Sequence, residues 1–218
     1  MSTPTIGPGA AITLLALLAA VCGPVAADVN EDPHAKHRQM MNEQRDPQSK
    51  SAHIGIPDVR LLTQNGETVN LRDDVIGDRI VVVDFVYTTC TTVCPVLSAI
   101  LGQVQNRLGD RLGEDVALIS QTVDPLRDTP QRLKAYSENH RAGDGWVWLT
   151  GDKQTVDDVL RRFGAYTPNF EDHPSMILVG DGQSEEWSRF LGFPGASKII
   201  DKIDELGAAR RAQAAVRE

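Results

Sequence analysis

Two hydrophobic periods alternate along residues 53–206. Residues 80–87 (IVVVDFVY) are a nearly continuous apolar, β-branched run, as expected for a strand buried on both faces. Val93, Leu97, Ile100, Val104 and Leu108 then recur at helical spacing, which predicts an amphipathic helix directly after that strand. Residues 116–123 read as the next strand. Residues 129–137 read as a helix with Thr129 as N-cap and Pro130 in its first position. Residues 146–150 form a short strand, and Val156, Val159, Leu160 and Phe163 mark a helix that Gly164 ends. Residues 59–62 and 68–70 flank Asn65-Gly66, a strong hairpin signal, and residues 176–179 and 187–191 predict a second hairpin. Ile199, Ile200, Ile203 and Leu206 close the pattern as a helix, with Gly207 as its stop.

This order of elements implies an α/β fold, a mixed sheet with helices on both faces. It is the thioredoxin-like plan with an added N-terminal β-hairpin. The folded domain is expected over residues 53–206. Residues 28–52 are polar, lack apolar periodicity and read as a flexible tail. Residues 207–218 are Ala-rich with Arg210, Arg211 and Arg217, and read as a charged C-terminal tail.

Residues 1–27 stand apart. A short apolar run from Ala10 to Val21 precedes Gly23, Pro24, Ala26 and Ala27, as in a signal-peptide core followed by a cleavage site. No Lys or Arg precedes the run, so a retained membrane anchor is the alternative, although the run is short for a span of about 20 residues. Either reading places the rest of the chain outside the cytoplasm, in the periplasm or on the outer face of the inner membrane. Val21 is not the small residue that a lipoprotein site wants before Cys22. The net charge of -8, with no long Lys/Arg run, makes nucleic acid a poor partner.

Beyond Cys22, the chain has two cysteines, in Cys90-Thr91-Thr92-Val93-Cys94-Pro95, where the buried strand turns into the helix. Residues at i and i+4 share a helix face with Cβ atoms about 5–6 Å apart. Two thiolates so placed can grip one soft ion. A disulfide prefers a Cβ separation of about 3.8 Å and would need the first turn to unwind slightly. The helix N-terminus favours thiolate over thiol. A purely structural disulfide closing so short a loop contributes little.

Two thiolates are an incomplete ligand set. The third candidate is His173, in Asp172-His173-Pro174 just before the strand that begins at Met176. In a sheet of this plan, that strand lies beside the one ending near Cys90, so its leading loop opens at the same end. Two thiolates and one imidazole form a soft set that favours Cu(I), and a fourth weak ligand admits Cu(II). Structural zinc usually wants four strong protein ligands.

Tyr87-Thr88-Thr89-Cys90, Cys94-Pro95, Thr122-Val123-Asp124-Pro125 with Arg127-Asp128-Thr129-Pro130, and Asp172-His173 together resemble the Sco/SenC family of copper-binding cytochrome c oxidase assembly proteins. The resemblance covers roughly residues 56–206. It implies a thioredoxin-like fold, copper ligation by Cys90, Cys94 and His173, and delivery to the copper-bearing subunit of the oxidase or reduction of its cysteines. The chain departs from many members of that family at Thr91, where they have Pro, and at Pro174. Pro174 stands where thioredoxins keep a cis-proline, so His173–Pro174 is expected to be cis.

Other residues invite weaker readings. Asp124 could bond near the site, or serve only a turn. Trp146 and Trp148 read as a strand pair rather than a cofactor platform. His34, His37, Met40 and Met41 combine imidazole and thioether at close spacing and could capture copper; the bland reading is a solvated tether. His53 and His140 show no partner in sequence. Three functions compete: a copper metallochaperone, a thiol–disulfide oxidoreductase that keeps copper-site cysteines of an exported partner reduced, and a peroxidase or redox sensor. The last lacks an Arg close to Cys90 in sequence.

Overall fold

The computed structural model describes residues 49–217. Eight strands form one sheet: β1 (Ser49–His53), β2 (Arg60–Thr63), β3 (Thr68–Asn70), β4 (Ile80–Val86), β5 (Val116–Thr122), β6 (Trp146–Thr150), β7 (Met176–Asp181) and β8 (Glu186–Leu191). Among the described residues, four α-helices accompany them: α1 (Val93–Leu108), α2 (Pro130–Asn139), α3 (Lys153–Phe163) and α4 (Ala196–Arg217). The strand order is β1-β8-β7-β4-β5-β6-β2-β3. β4, β5 and β6 run parallel, while β7 is antiparallel to β4. This is the expected thioredoxin-like mixed sheet, with the β2–β3 hairpin added at its N-terminal side.

β4 is buried along all seven residues, as a central strand covered on both faces must be. Alternation sorts its side chains. Val81, Val83 and Phe85 join α3 residues Val156, Val159, Leu160 and Phe163 in one core. Ile80, Val82 and Val86 meet α1, α2 and α4 through Leu97, Leu101, Leu133, Ile199 and Ile203 in the other. Trp146 and Trp148 are fully buried and stacked with ring centroids 5.3 Å apart, a core pair as expected. In the β7–β8 hairpin, Gly180 faces Trp187, and a Cβ there would come within 2.2 Å of the indole, so only glycine fits.

Local chemistry sets the helix boundaries. The Thr129 hydroxyl accepts the N–H of Arg132, and Pro130 occupies the first turn of α2. The Asp152 carboxylate accepts the N–H of Thr155 ahead of α3, and Gly164 closes that helix in the left-handed region.

Two boundary expectations need correction. Residues 49–52, read as part of a tail, form the edge strand β1, held by backbone pairing to β8 rather than by an apolar face. The last helix does not stop at Gly207 but continues to Arg217. Ala208, Ala209, Ala212, Ala214 and Ala215 supply the propensity that offsets one glycine. Beyond it, the Arg210 guanidinium forks onto the Asp181 carboxylate at the end of β7, with its Nε donating at 2.7 Å. Among the described residues, no helix is long and apolar enough to cross a membrane, and the expected leader lies outside them.

The Arg210–Asp181 pair is only about one-fifth exposed on the Arg side, so it anchors the extension. Arg210→Ala is expected to lower unfolding stability by about 1–3 kcal/mol, the cost of stranding a poorly solvated charged acceptor. Urea unfolding read by far-UV circular dichroism checks this. An unchanged midpoint would show that the helix beyond Gly207 does not stabilise the domain.

Candidate metal and redox centre

The two cysteines meet at the start of α1, in a way that differs from the expected shared helix face. The helix begins at Val93, so Cys90 lies in the turn before it, where its N–H bonds the Tyr87 carbonyl. Thr92 occupies the N-cap position but makes no side-chain cap. Cys90 Sγ does that work, accepting the N–H of Cys94 at 3.3 Å. Both cysteines are buried and free of disulfide.

This arrangement makes the pair unequal. Burial alone would raise the Cys90 thiol. Hydrogen bonds from the Cys94 thiol, the N–H groups of Cys94 and Thr92, and the Tyr87 hydroxyl outweigh burial and bring Cys90 down to about 7. Cys94 is pushed far above the usual thiol range, first by burial, then by donating to Cys90. Cys90 is therefore the more readily ionised of the two thiols, and Cys94 is the one that keeps its proton. Tyr87 is pushed up to about 12, by burial and by its bond to Cys90, so it stays a donor.

A buried carboxylate fixes the turn that presents Cys90. Asp128 accepts the Thr88 hydroxyl and the Thr122 hydroxyl, each at 2.6 Å, and the Thr88 N–H at 3.2 Å. It thereby ties the segment after β4 to the segment after β5. Asp124 serves the turn, accepting from Arg127 at 2.9 Å and from the backbone N–H groups of Arg127 and Asp128 through its carbonyl. The Arg127 guanidinium also lies 5.4 Å from the Phe170 ring centroid, joining this loop to the one that carries His173.

His173 lies where the topology argument put it, on the loop leading into β7 beside the end of β4. The ring is buried. Its Nδ1 lies 2.7 Å from the Phe170 carbonyl, and its Nε2 lies 3.3 Å from the Phe85 carbonyl. The shorter contact places the proton of a neutral ring on Nδ1, which leaves Nε2 a lone pair with no donor opposite. The Tyr87 ring stands beside it edge-on, at 5.8 Å between centroids. Tyr87 thus touches both His173 and Cys90. Among the described residues, no three His, Cys, Asp or Glu side chains converge closely enough to hold a metal ion. The structure therefore brings Cys90 and Cys94 into contact and sets His173 one aromatic ring away. The His173–Pro174 bond is trans, contrary to expectation, since the described residues contain no cis peptide.

Sequence reasoning missed three residues here. Tyr87 and Asp128 were visible only as letters of a motif. Asp84 carried a plain signal, a carboxylate within a strand buried on both faces. It lies on the α1 face of β4, accepting the Ser120 hydroxyl at 2.6 Å, which in turn accepts the Trp146 indole N–H at 2.9 Å. Its second oxygen has no partner, and burial raises it to about 7. Two histidines without evident partners acquire them: His53 meets Glu185 at 2.6 Å, and His140 packs on Tyr136 and Trp148. His34, His37, Met40 and Met41 lie outside the described residues.

Two predictions follow the electrostatics. Iodoacetamide should alkylate Cys90 with a midpoint near pH 7 while Cys94 stays inert. Tyr87→Phe should move that midpoint upward, and mass-mapped alkylation across pH reads both. Asp84 keeps its proton in the folded chain up to about 7 but ionises near 3.8 when unfolded. Its contribution is thus fully present below 3.8 and lost as pH rises through about 7, a span worth roughly 4 kcal/mol. Asp84→Asn should flatten that decline in urea midpoints between pH 4 and 8; an undiminished decline would assign it to other groups.

Comparison with known proteins agrees with this fold. The SCO1/SenC family model matches residues 47–207. A SCO1 protein homolog of Bacillus subtilis is 34% identical over 130 residues, covering 55% of this chain and 66% of its own. Across the first curated relatives, the chain spans about half to two thirds of their length. The structure of Bradyrhizobium japonicum ScoI with copper bound superposes with a TM-score of 0.58 at 25% identity, covering 71% of this chain and 99% of that one. BsSco, described as a member of the Sco family of cytochrome c oxidase assembly proteins, shares the fold with a TM-score of 0.61 at 24% identity, over 72% of this chain and 96% of its own. A buried Cys-x-x-x-Cys at the head of a helix, a thioredoxin-like sheet and a family match across nearly the whole described domain lead to one assignment: the chain belongs to the SCO1/SenC family.

Proposed function

We propose that this protein is a copper metallochaperone acting outside the cytoplasm. Cys90, Cys94 and His173 hold one copper ion, which passes to the copper-bearing subunit of cytochrome c oxidase during assembly. The observation that carries this reading is the donor-free Nε2 of His173, set one ring from a thiolate–thiol pair. A metal-bound histidine commonly donates its other ring N–H to a backbone carbonyl, and the Phe170 carbonyl already takes that part. Two sulfurs and an imidazole suit Cu(I) and tolerate Cu(II) with one further weak ligand. Support also comes from relatives: copper is bound in the Bradyrhizobium structure.

Metallation in this reading needs two local events. The Cys94 proton must leave, because the metal binds thiolate. The His173 ring must quit the Phe85 carbonyl and pass Tyr87 toward Cys90. The short turn Phe170–Asp172, fastened by the Asn169 side chain, carries the ring and is the element that would shift.

A second reading has its own support. A thiolate near neutral pH backed by a buried thiol is what thiol–disulfide exchange uses. Cys90 would attack a disulfide of an exported partner and form a mixed disulfide. Deprotonated Cys94 would then attack Cys90, leaving the partner as two thiols and this chain oxidised. The same residues serve both readings, and His173 separates them.

Anaerobic titration of the reduced protein with Cu(I) and Cu(II), read by stoichiometry and by ligand-to-metal absorption, tests the copper site. His173→Ala is expected to weaken copper binding more than about 100-fold, beyond what losing a supporting residue costs, while disulfide exchange stays near the parent rate. Copper held equally well by His173→Ala would sink the three-ligand site and leave the exchange reading.

A further inference from the structure

We propose that the rim around Cys90 is a docking surface for a protein loop that carries a cysteine pair among apolar residues, with a cation at its flank. This deepens the exchange and transfer readings above and rests on them for the partner's cysteines. Among the described residues, five large apolar side chains are exposed: Val96, Leu126, Leu191, Phe193 and Val216. Four of them stand at the cysteine end of the sheet, and Val216 lies apart from them at the far end of α4. Single exposed apolar residues scattered over a surface mean little, but a gathering at one functional end marks an interaction site.

Topology puts the four there. β8 is antiparallel to β7, and β7 to β4, so β8 ends where β4 ends. Leu191 closes β8, and the next N–H, of Gly192, bonds the Ser175 carbonyl at 2.7 Å, so Phe193 follows directly after a tie to the segment that carries His173. β5 runs parallel to β4, and Leu126, 73% exposed, sits on the loop that follows it. Val96 lies in the first turn of α1, two residues past Cys94. β7 and β4 stand between β8 and β5 in the sheet, so Phe193 and Leu126 flank the His173 and Cys90 segments across three strand spacings, about 14–15 Å. A loop that reaches the buried Cys90 meets these side chains on either hand.

Charge says what fits. Residues 85–106 contain no Asp, Glu, Lys or Arg, and neither do residues 190–197, in a chain where such residues make up 24%. Charge depletion beside exposed apolar groups is the composition of an interface core. One flank is acidic: Glu171 and Asp172 are exposed on the turn ahead of His173, while Arg127 is taken by Asp124. An apolar loop with Lys or Arg beside it complements both parts. A second copy does not, since it brings a further net charge of -8. Between the Leu126 loop and the segment of Pro168 and Phe170, a cavity of about 220 Å³ offers a seat for one apolar side chain of the partner.

The test uses the full chain as Cys90→Ser/Cys94→Ser, which keeps binding apart from covalent chemistry. The probe is a fluorescein-labelled peptide closed by one disulfide, with Phe and Leu beside its cysteines and Lys at its flank; its counterpart carries Ser and Glu there. Fluorescence anisotropy should show the apolar, basic peptide bound about tenfold tighter than its counterpart. Leu126→Ser and Phe193→Ser should each weaken that binding about fivefold, as truncation of an interface anchor does, while Val216→Ser leaves it unchanged. Glu171→Gln should lessen the loss of binding on adding salt. Equal affinity for the two peptides, or binding unmoved by Leu126→Ser and Phe193→Ser, overturns the inference. A dimer in sedimentation that Phe193→Ser dissolves gives the surface to a second copy and overturns it too. Peptide bound through the rim but not reduced by the parent chain upholds the surface and removes the exchange reading instead.

Discussion

The antiparallel seat of β7 against β4 is the constraint on which the rest of the site depends. β4 and β5 run parallel, so the segments that follow them both emerge at one end of the sheet. β7 runs the other way, so the segment that precedes it emerges there too. Cysteines after β4, an acidic loop after β5 and a histidine before β7 are therefore neighbours, although Cys90 and His173 are 83 residues apart. Reversal of β7 would carry His173 to the far end. Asp128 then converts nearness into position, since its carboxylate bonds Thr88 and Thr122 at once and holds the turn that delivers Cys90.

The second determinant is the missing side-chain cap of α1. A helix start leaves N–H groups that need an acceptor, and most helices supply Ser, Thr, Asp or Asn. Here, the acceptor is Cys90 Sγ. A sulfur that accepts is stabilised as thiolate, so capping and reactivity are one interaction seen from two ends. It also explains why the paired thiol stays protonated: Cys94 donates to Cys90 and is shut away from water.

Most of the fold was legible because its signals are local. The apolar β4 run, the helical spacing from Val93 to Leu108, the Thr129-Pro130 start and the Gly164 stop each rest on residues a few positions apart. β1 was not legible, for an edge strand needs no apolar face, and its partner β8 lies more than a hundred residues away. The run of α4 past Gly207 was missed because a stop signal was read alone, without the alanines after it or the Asp181 that awaits Arg210. For the site, residue types pointed to Cys90, Cys94 and His173, and topology placed them at one sheet end. The intervening Tyr87 ring and the trans His173–Pro174 bond are tertiary facts, without a local pattern to announce them.

The two proposed activities ask different things of one proton. Copper wants both sulfurs as thiolates, while exchange wants one thiolate and a reserve thiol. The resting centre is built for the second condition, since burial and the bond to Cys90 hold the proton on Cys94. Arrival of a monovalent cation reverses the balance, because its charge beside Cys94 favours the thiolate that burial opposes. The same low-polarity setting that keeps Cys94 protonated without metal then strengthens its attraction to the ion. Asp84, on the same face and itself held near neutrality, adds no full negative charge at lower pH and begins to add one as pH passes about 7. In the copper reading, such a centre would change protonation on loading, and the chemistry of the thiol pair would then report whether the ion is bound.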